Sequence, residues 1–151
     1  MTDMRDLYQE MLLDHYRHPR NHGALPSANG EAEGDNPLCG DRVQVSVNVE
    51  DGRIRDIAFA GGGCAISTAS ASLMTEAVKG KTVAEAQRLF EEVHGGLAGD
   101  GAALGAPGSD LEPLACLAGV REYPMRVKCA TLAWHTLRAA LEHSRAKVST
   151  E

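Results

Sequence analysis

No run of 18 apolar residues occurs anywhere in the chain, so no segment is long and greasy enough to cross a bilayer as a helix. Aromatic residues make up only 4% of the sequence, too few for a surface on which nucleic-acid bases stack. Positive charge is also in deficit, and a formal net charge of −6 opposes tracking along a phosphate backbone. Nucleic acid is therefore not an expected partner. Four cysteines, Cys39, Cys64, Cys116 and Cys129, are too few and too scattered to staple a secreted mini-domain. The first residues lack the basic-then-apolar order of a signal peptide, and a soluble, cytoplasmic protein in a reducing compartment is the expectation. With 151 residues, 43% hydrophobic and 24% charged, the chain suits a single globular domain spanning 1–151.

Leu7, Met11, Leu12 and Tyr16 recur at helical spacing and predict an amphipathic helix over about 4–17, stopped by His18-Pro19. Residues 19–40 are rich in Pro, Gly, Asn and Asp, with room for one short edge strand near 31–33. Val43, Val45, Val47 and Val49 alternate with polar residues, Asp51-Gly52 supplies a turn, and Ile54 to Ala60 resumes a β-rich run. Beyond Gly61-Gly62-Gly63-Cys64 the period changes. Ile66, Ala69, Leu73, Ala77 and Val78 mark a helix of small residues that ends near Gly80. Thr82-Val83-Ala84-Glu85 has the form of a capping box and opens a helix to about His94. Six glycines between Gly95 and Gly108 read as a loop, and Leu111, Leu114 and Leu117 as a short helix closed by Gly119. Ala130, Trp134, Leu137 and Leu141 share one stripe of a last helix from about Met125, after which the final residues fray. The fold class is α+β, with a small antiparallel sheet of about three strands and helices packed on one face.

Hairpin geometry brings two cysteines together. A two-residue turn at Asp51-Gly52 makes paired positions sum to 103, whereas matching Val45 with Phe59 and Val47 with Ile57 requires a sum of 104. Both registers leave Cys64 within one residue of a position opposite Cys39. Asp41 lies two residues after Cys39, on the same side of an extended chain, so the pair could bite one ion. Cys64 precedes a helix, where backbone N–H groups favour a thiolate. Cys129 falls in the first turns of the last helix, with Arg126 three positions earlier on the same face. Three thiolates and one carboxylate would leave a divalent cation with excess negative charge, which a nearby arginine could offset.

Such a soft donor set suits zinc or an iron–sulfur cluster. Separations of 24 and then 64 residues are far from paired C-x-x-C motifs, however. On spacing alone, two readings stand: ligation, or cysteines that pack as small hydrophobes. Cys116, in Leu114-Ala115-Cys116-Leu117, belongs to the core. The histidines lack H-x-x-x-H and H-E-x-x-H arrangements and read as surface or cap residues, with His15, His18 and His22 clustered at the end of the first helix. No phosphate-loop lysine follows the triple glycine. Ser67, Ser70 and Ser72 lack the setting of an activated serine and read as small packing residues.

Three blocks, Asn36-Pro37-Leu38-Cys39-Gly40-Asp41, Gly63-Cys64-Ala65-Ile66-Ser67 with Ala69-Ser70-Ala71-Ser72, and Val127-Lys128-Cys129-Ala130-Thr131-Leu132-Ala133-Trp134, resemble the signatures of the IscU/SufU (NifU-like) proteins of iron–sulfur cluster assembly. Lys128, where IscU scaffolds usually carry histidine, and an insertion at about 95–119 resemble the SufU branch. The resemblance implies a zinc-dependent sulfurtransferase that accepts persulfide sulfur from a SufS-type, pyridoxal-phosphate-dependent cysteine desulfurase and passes it to a downstream acceptor or scaffold. It implies one zinc per chain on Cys39, Asp41, Cys64 and Cys129, Cys39 as sulfur acceptor, and Arg126 as a residue near the site. In related proteins a desulfurase histidine takes over a zinc position and frees the acceptor thiolate. The alternative it implies is a scaffold on which a [2Fe–2S] cluster is assembled and transferred.

Overall fold

The computed structural model describes residues 4–37, 40–98, 113–114, 116–117, 123–142 and 147–149. Cys39 and most of the 95–119 insertion lie outside the described residues. The elements run α1 (Met4–Arg17), β1 (Gly30–Asn36), β2 (Asp41–Glu50), β3 (Arg53–Gly62), α2 (Ala65–Val78), α3 (Val83–Ala98), α4 (Pro124–Leu141) and β4 (Lys147–Ser149). Three antiparallel strands in the order β3-β2-β1 form the sheet, and β4 adds a short fourth strand parallel to β1. The helices lie on one side, giving the expected α+β architecture.

The β2–β3 hairpin uses both registers. Glu50 pairs with Arg53 and Val49 with Ile54, then a bulge shifts the ladder so that Asn48 pairs with Asp56, Val47 with Ile57 and Val45 with Phe59. The extra residue, Arg55, changes the phase of β3. Ile54 can therefore share the core face with Ile57 and Phe59, which strict alternation forbids. All three are essentially fully buried. Each such side chain contributes about 1.5–3 kcal/mol of apolar burial.

Helix α4 lies against the β1–β2 side of that core, buried at Cys129, Ala130, Leu132, Ala133, Trp134, Leu137 and Ala140. Glycine lets it come close. A Cβ on Gly34 would collide with Thr136 Oγ1 and sit 3.1 Å from Leu132 Cδ1. Helix α2 carries Ala69, Ser70 and Ala71 at 1% exposure or less, small residues on a helix packed between α1, α4 and β3. The expected capping box is present: Glu85 N–H donates to Thr82 Oγ1 at 3.1 Å and Glu85 Oε1 reaches back to Thr82.

Four sequence expectations need correction. Strand β1 is seven residues long rather than a fragment near 31–33, because the alternation of Glu31, Glu33 and Asp35 with buried Gly, Ala and Asn is itself a strand pattern. Helix α3 runs through Gly95 and Gly96 to Ala98, drawn on by Leu97, which is buried. The chain end does not simply fray, since Lys147–Ser149 pair with Glu33–Asp35. His15 is a buried residue, and its Nδ1 lies 2.7 Å from Ser72 Oγ. Ser72 also accepts the Arg20 N–H, so the end of α1 is fastened to α2. After α1 the chain runs along β3, where Phe59 N–H donates to Asn21 O and Gly23 N–H to Phe59 O.

Candidate metal centre

Asp41 opens β2 directly after Gly40, whose N–H donates to Asn36 O at 2.9 Å. Its carboxylate is fully buried. Glycines at the end of β3 bring the following residue beside it. A Cβ on Gly63 would fall on the Asp41 carboxylate and 2.9 Å from Asp41 Cα, so only glycine permits the approach. Cys64 then donates its backbone N–H to Asp41 Oδ1 at 2.8 Å, with its thiol 3.6 Å from Oδ2.

Cys64 is also the N-cap of α2, and its sulfur accepts the Ser67 N–H at 3.4 Å. A side chain there answers one of the unsatisfied N–H groups of the first turn, and that end of the helix favours negative charge. Cys129 enters from α4, 1% exposed. One oxygen of Asp41 and the sulfurs of Cys64 and Cys129 all lie within 4.8 Å of one another. Ligand atoms around a tetrahedral zinc are separated by about 3.5–3.8 Å, so this cluster fits the ion after small side-chain adjustments. Two soft thiols and one hard carboxylate also suit a borderline metal by chemistry.

Among the described residues, Cys116 does not belong to this group. It is buried with Leu114 and Leu117, and burial pushes its thiol up to about 12. Arg126 sits exposed in the first turn of α4, one turn ahead of Cys129. Two further residues shape the site, and sequence reasoning gave neither this role although both lie in the quoted blocks. Gly63 makes room for Asp41. Ser70, buried within α2, donates to Ala130 O of α4 at 2.5 Å.

A two-layer α+β frame brings two thiols and a carboxylate from three distant segments to one place, where they could hold a metal ion. Residues 7–151 match the family model described as NifU-like N terminal domain, and the chain belongs to that family. It is 39% identical over 147 residues to the iron–sulfur cluster assembly scaffold protein IscU of Streptococcus pyogenes serotype M1, covering 95% of this chain and 88% of the relative. It is 38% identical over 139 residues to the zinc-dependent sulfurtransferase SufU of Bacillus subtilis (strain 168), covering 90% of each. A crystal structure of SufU from Fervidobacterium islandicum AW-1, described as a cluster assembly scaffold protein for the SUF system, superposes with a TM-score of 0.78 at 34% identity. That superposition covers 92% of this chain and 99% of the other.

Proposed function

We propose that this chain is a zinc-dependent sulfurtransferase of iron–sulfur cluster assembly, accepting persulfide sulfur from a SufS-type cysteine desulfurase. The convergence of Asp41, Cys64 and Cys129 within 4.8 Å is the observation that carries the reading. Cys39 is the fourth ligand by its position two residues before Asp41, and it is the sulfur acceptor. Zinc, when bound, keeps cysteine thiols ionised near neutral pH. The Cys39 thiolate attacks the outer sulfur of the desulfurase persulfide. A new sulfur–sulfur bond forms on Cys39, the old one breaks, and the desulfurase cysteine departs as its thiolate. Asp41 fixes Cys64 through the backbone, and Arg126 offsets the negative charge of the ligand set. The working compartment is the reducing cytoplasm, and a downstream acceptor or scaffold receives the sulfur.

The test is metal content of the purified protein together with stimulation of a cysteine desulfurase. About one zinc per chain is expected, with stimulation lost in Cys39→Ala and a persulfide on Cys39 by mass spectrometry. Full stimulation by Cys39→Ala would overturn the acceptor assignment. The 39% identity to a relative named as an IscU scaffold favours a second reading, in which the same thiols hold a nascent [2Fe–2S] cluster as cargo. Anaerobic reconstitution followed by transfer to an apo-acceptor separates the two, with Lys128→His as a probe. A stable, transferable cluster on the wild-type chain selects the scaffold.

A further inference from the structure

We propose that Ser70 is a positioning residue that sets the separation of the two thiol-bearing helices, an inference that rests on the metal-ligand reading above. Serine and threonine hydroxyls inside helices have a local option, the carbonyl one turn back. Thr131 and Thr136 take it, donating to Val127 O at 3.0 Å and Leu132 O at 2.7 Å. Ser70 does not. Its hydroxyl crosses from α2 to α4 and donates to Ala130 O.

Ala130 immediately follows Cys129, and Ser70 lies six residues after Cys64 on the helix that Cys64 caps. The bond therefore ties the two helices one residue beyond Cys129 and less than two turns along α2 from Cys64. Within α4 the Ala130 carbonyl already has its helical partner, the Trp134 N–H. The hydroxyl is thus not needed to satisfy that carbonyl, and Ser70→Ala leaves no buried acceptor orphaned. What the variant removes is a fixed length between α2 and α4. Both ends of the bond are fully buried, so water cannot replace it.

Ser72 supplies the internal control. It is equally buried on the same helix, but two residues on, about 200° around the axis. Its hydroxyl contacts His15 and the Arg20 N–H instead of α4.

The experiment measures zinc affinity by chelator competition in the wild type, Ser70→Ala and Ser72→Ala. It then measures diamide-driven formation of a Cys64–Cys129 disulfide in the metal-free chain, with Cys39→Ser and Cys116→Ser as background. Loss of a group that orients ligands typically weakens metal binding by about tenfold or more, and that loss is expected in Ser70→Ala. Slower cross-linking is expected in the same variant, with neither effect in Ser72→Ala. Unchanged cross-linking in Ser70→Ala overturns the proposal, as do equal effects of Ser72→Ala, which would mark general loosening of α2. If the wild type binds no zinc while Ser70→Ala still slows cross-linking, the ligand reading fails and the positioning role stands.

Discussion

The Cys64 backbone N–H and the Asp41 carboxylate meet at 2.8 Å although 23 residues separate them in sequence. The hydrogen bond is possible because Gly63 leaves the space that a side chain would fill. Gly63→Ala is therefore expected to push Asp41 and Cys64 apart, costing about 1–3 kcal/mol of stability and weakening metal binding together. Thermal melts and zinc competition on the same protein check it. A variant that loses neither would show that the Asp41 carboxylate can move aside.

Gly34 is the corresponding close approach in the core, where Thr136 and Leu132 occupy the space of a Cβ. Gly34→Ala should lower stability by about 1–3 kcal/mol through overpacking. Removing the obstructing hydroxyl with Thr136→Ala should restore part of that loss in the double variant. A cycle showing strict additivity of the two changes would refute the contact.

His15 and His135 both have pKa values held below the usual 6.5, in each case chiefly because burial disfavours the charged ring. Arg20 pushes His15 the same way while Glu76 and Asp14 oppose it, and His94 and Arg138 reinforce the shift at His135. The unfolded chain therefore binds more protons than the folded one just below pH 6.5, and stability falls as pH is lowered through that region. Denaturation at pH 7.5 and about 5.5 should show this loss. The double variant His15→Gln, His135→Gln should flatten it, and an unaltered slope would count against the assignment.

Cys116 has a thiol pushed up to about 12 and a buried position, so it should resist alkylation in the native chain. Iodoacetamide near pH 8, followed by peptide mass spectrometry, should leave Cys116 unmodified until denaturant is added. Labelling as fast as that of Cys64 would contradict the burial.

The sequence and the structure part company where local pattern and long-range pairing compete. Helices α1 and α2 were legible because helical spacing is a property of a single element, although Leu7, Met11 and Tyr16 of the α1 stripe stay exposed and only Leu12 packs on the core. The hairpin left two registers open, and neither alone is right. The chain turns in one and continues in the other, since the bulge at Arg55 lets Ile54 join the face of Ile57 and Phe59. Strand β1 carries acids and glycines in place of apolar alternation, because α4 packs close over Gly30 and Gly34. Three residues of β4 hold a strand only through their neighbour, and no local signal announces that. At the site, hairpin arithmetic set Cys64 near a position opposite Cys39, which lies outside the described residues; the partner Cys64 reaches among the described ones is Asp41, two residues further on. The entry of Cys129 depends on how α4 lies across the sheet, which spacing along the chain does not encode.

The two flanks of the sheet carry a last consequence. Residues 21–23 run beside the middle of β3, and the three residues of β4 lie along Glu33–Asp35 of β1, so part of the hydrogen-bonding groups of these two strands is answered from within the chain. A bare strand edge invites another molecule to add itself as the next strand, and successive additions grow a fibre. Here the covers discourage such polymerisation.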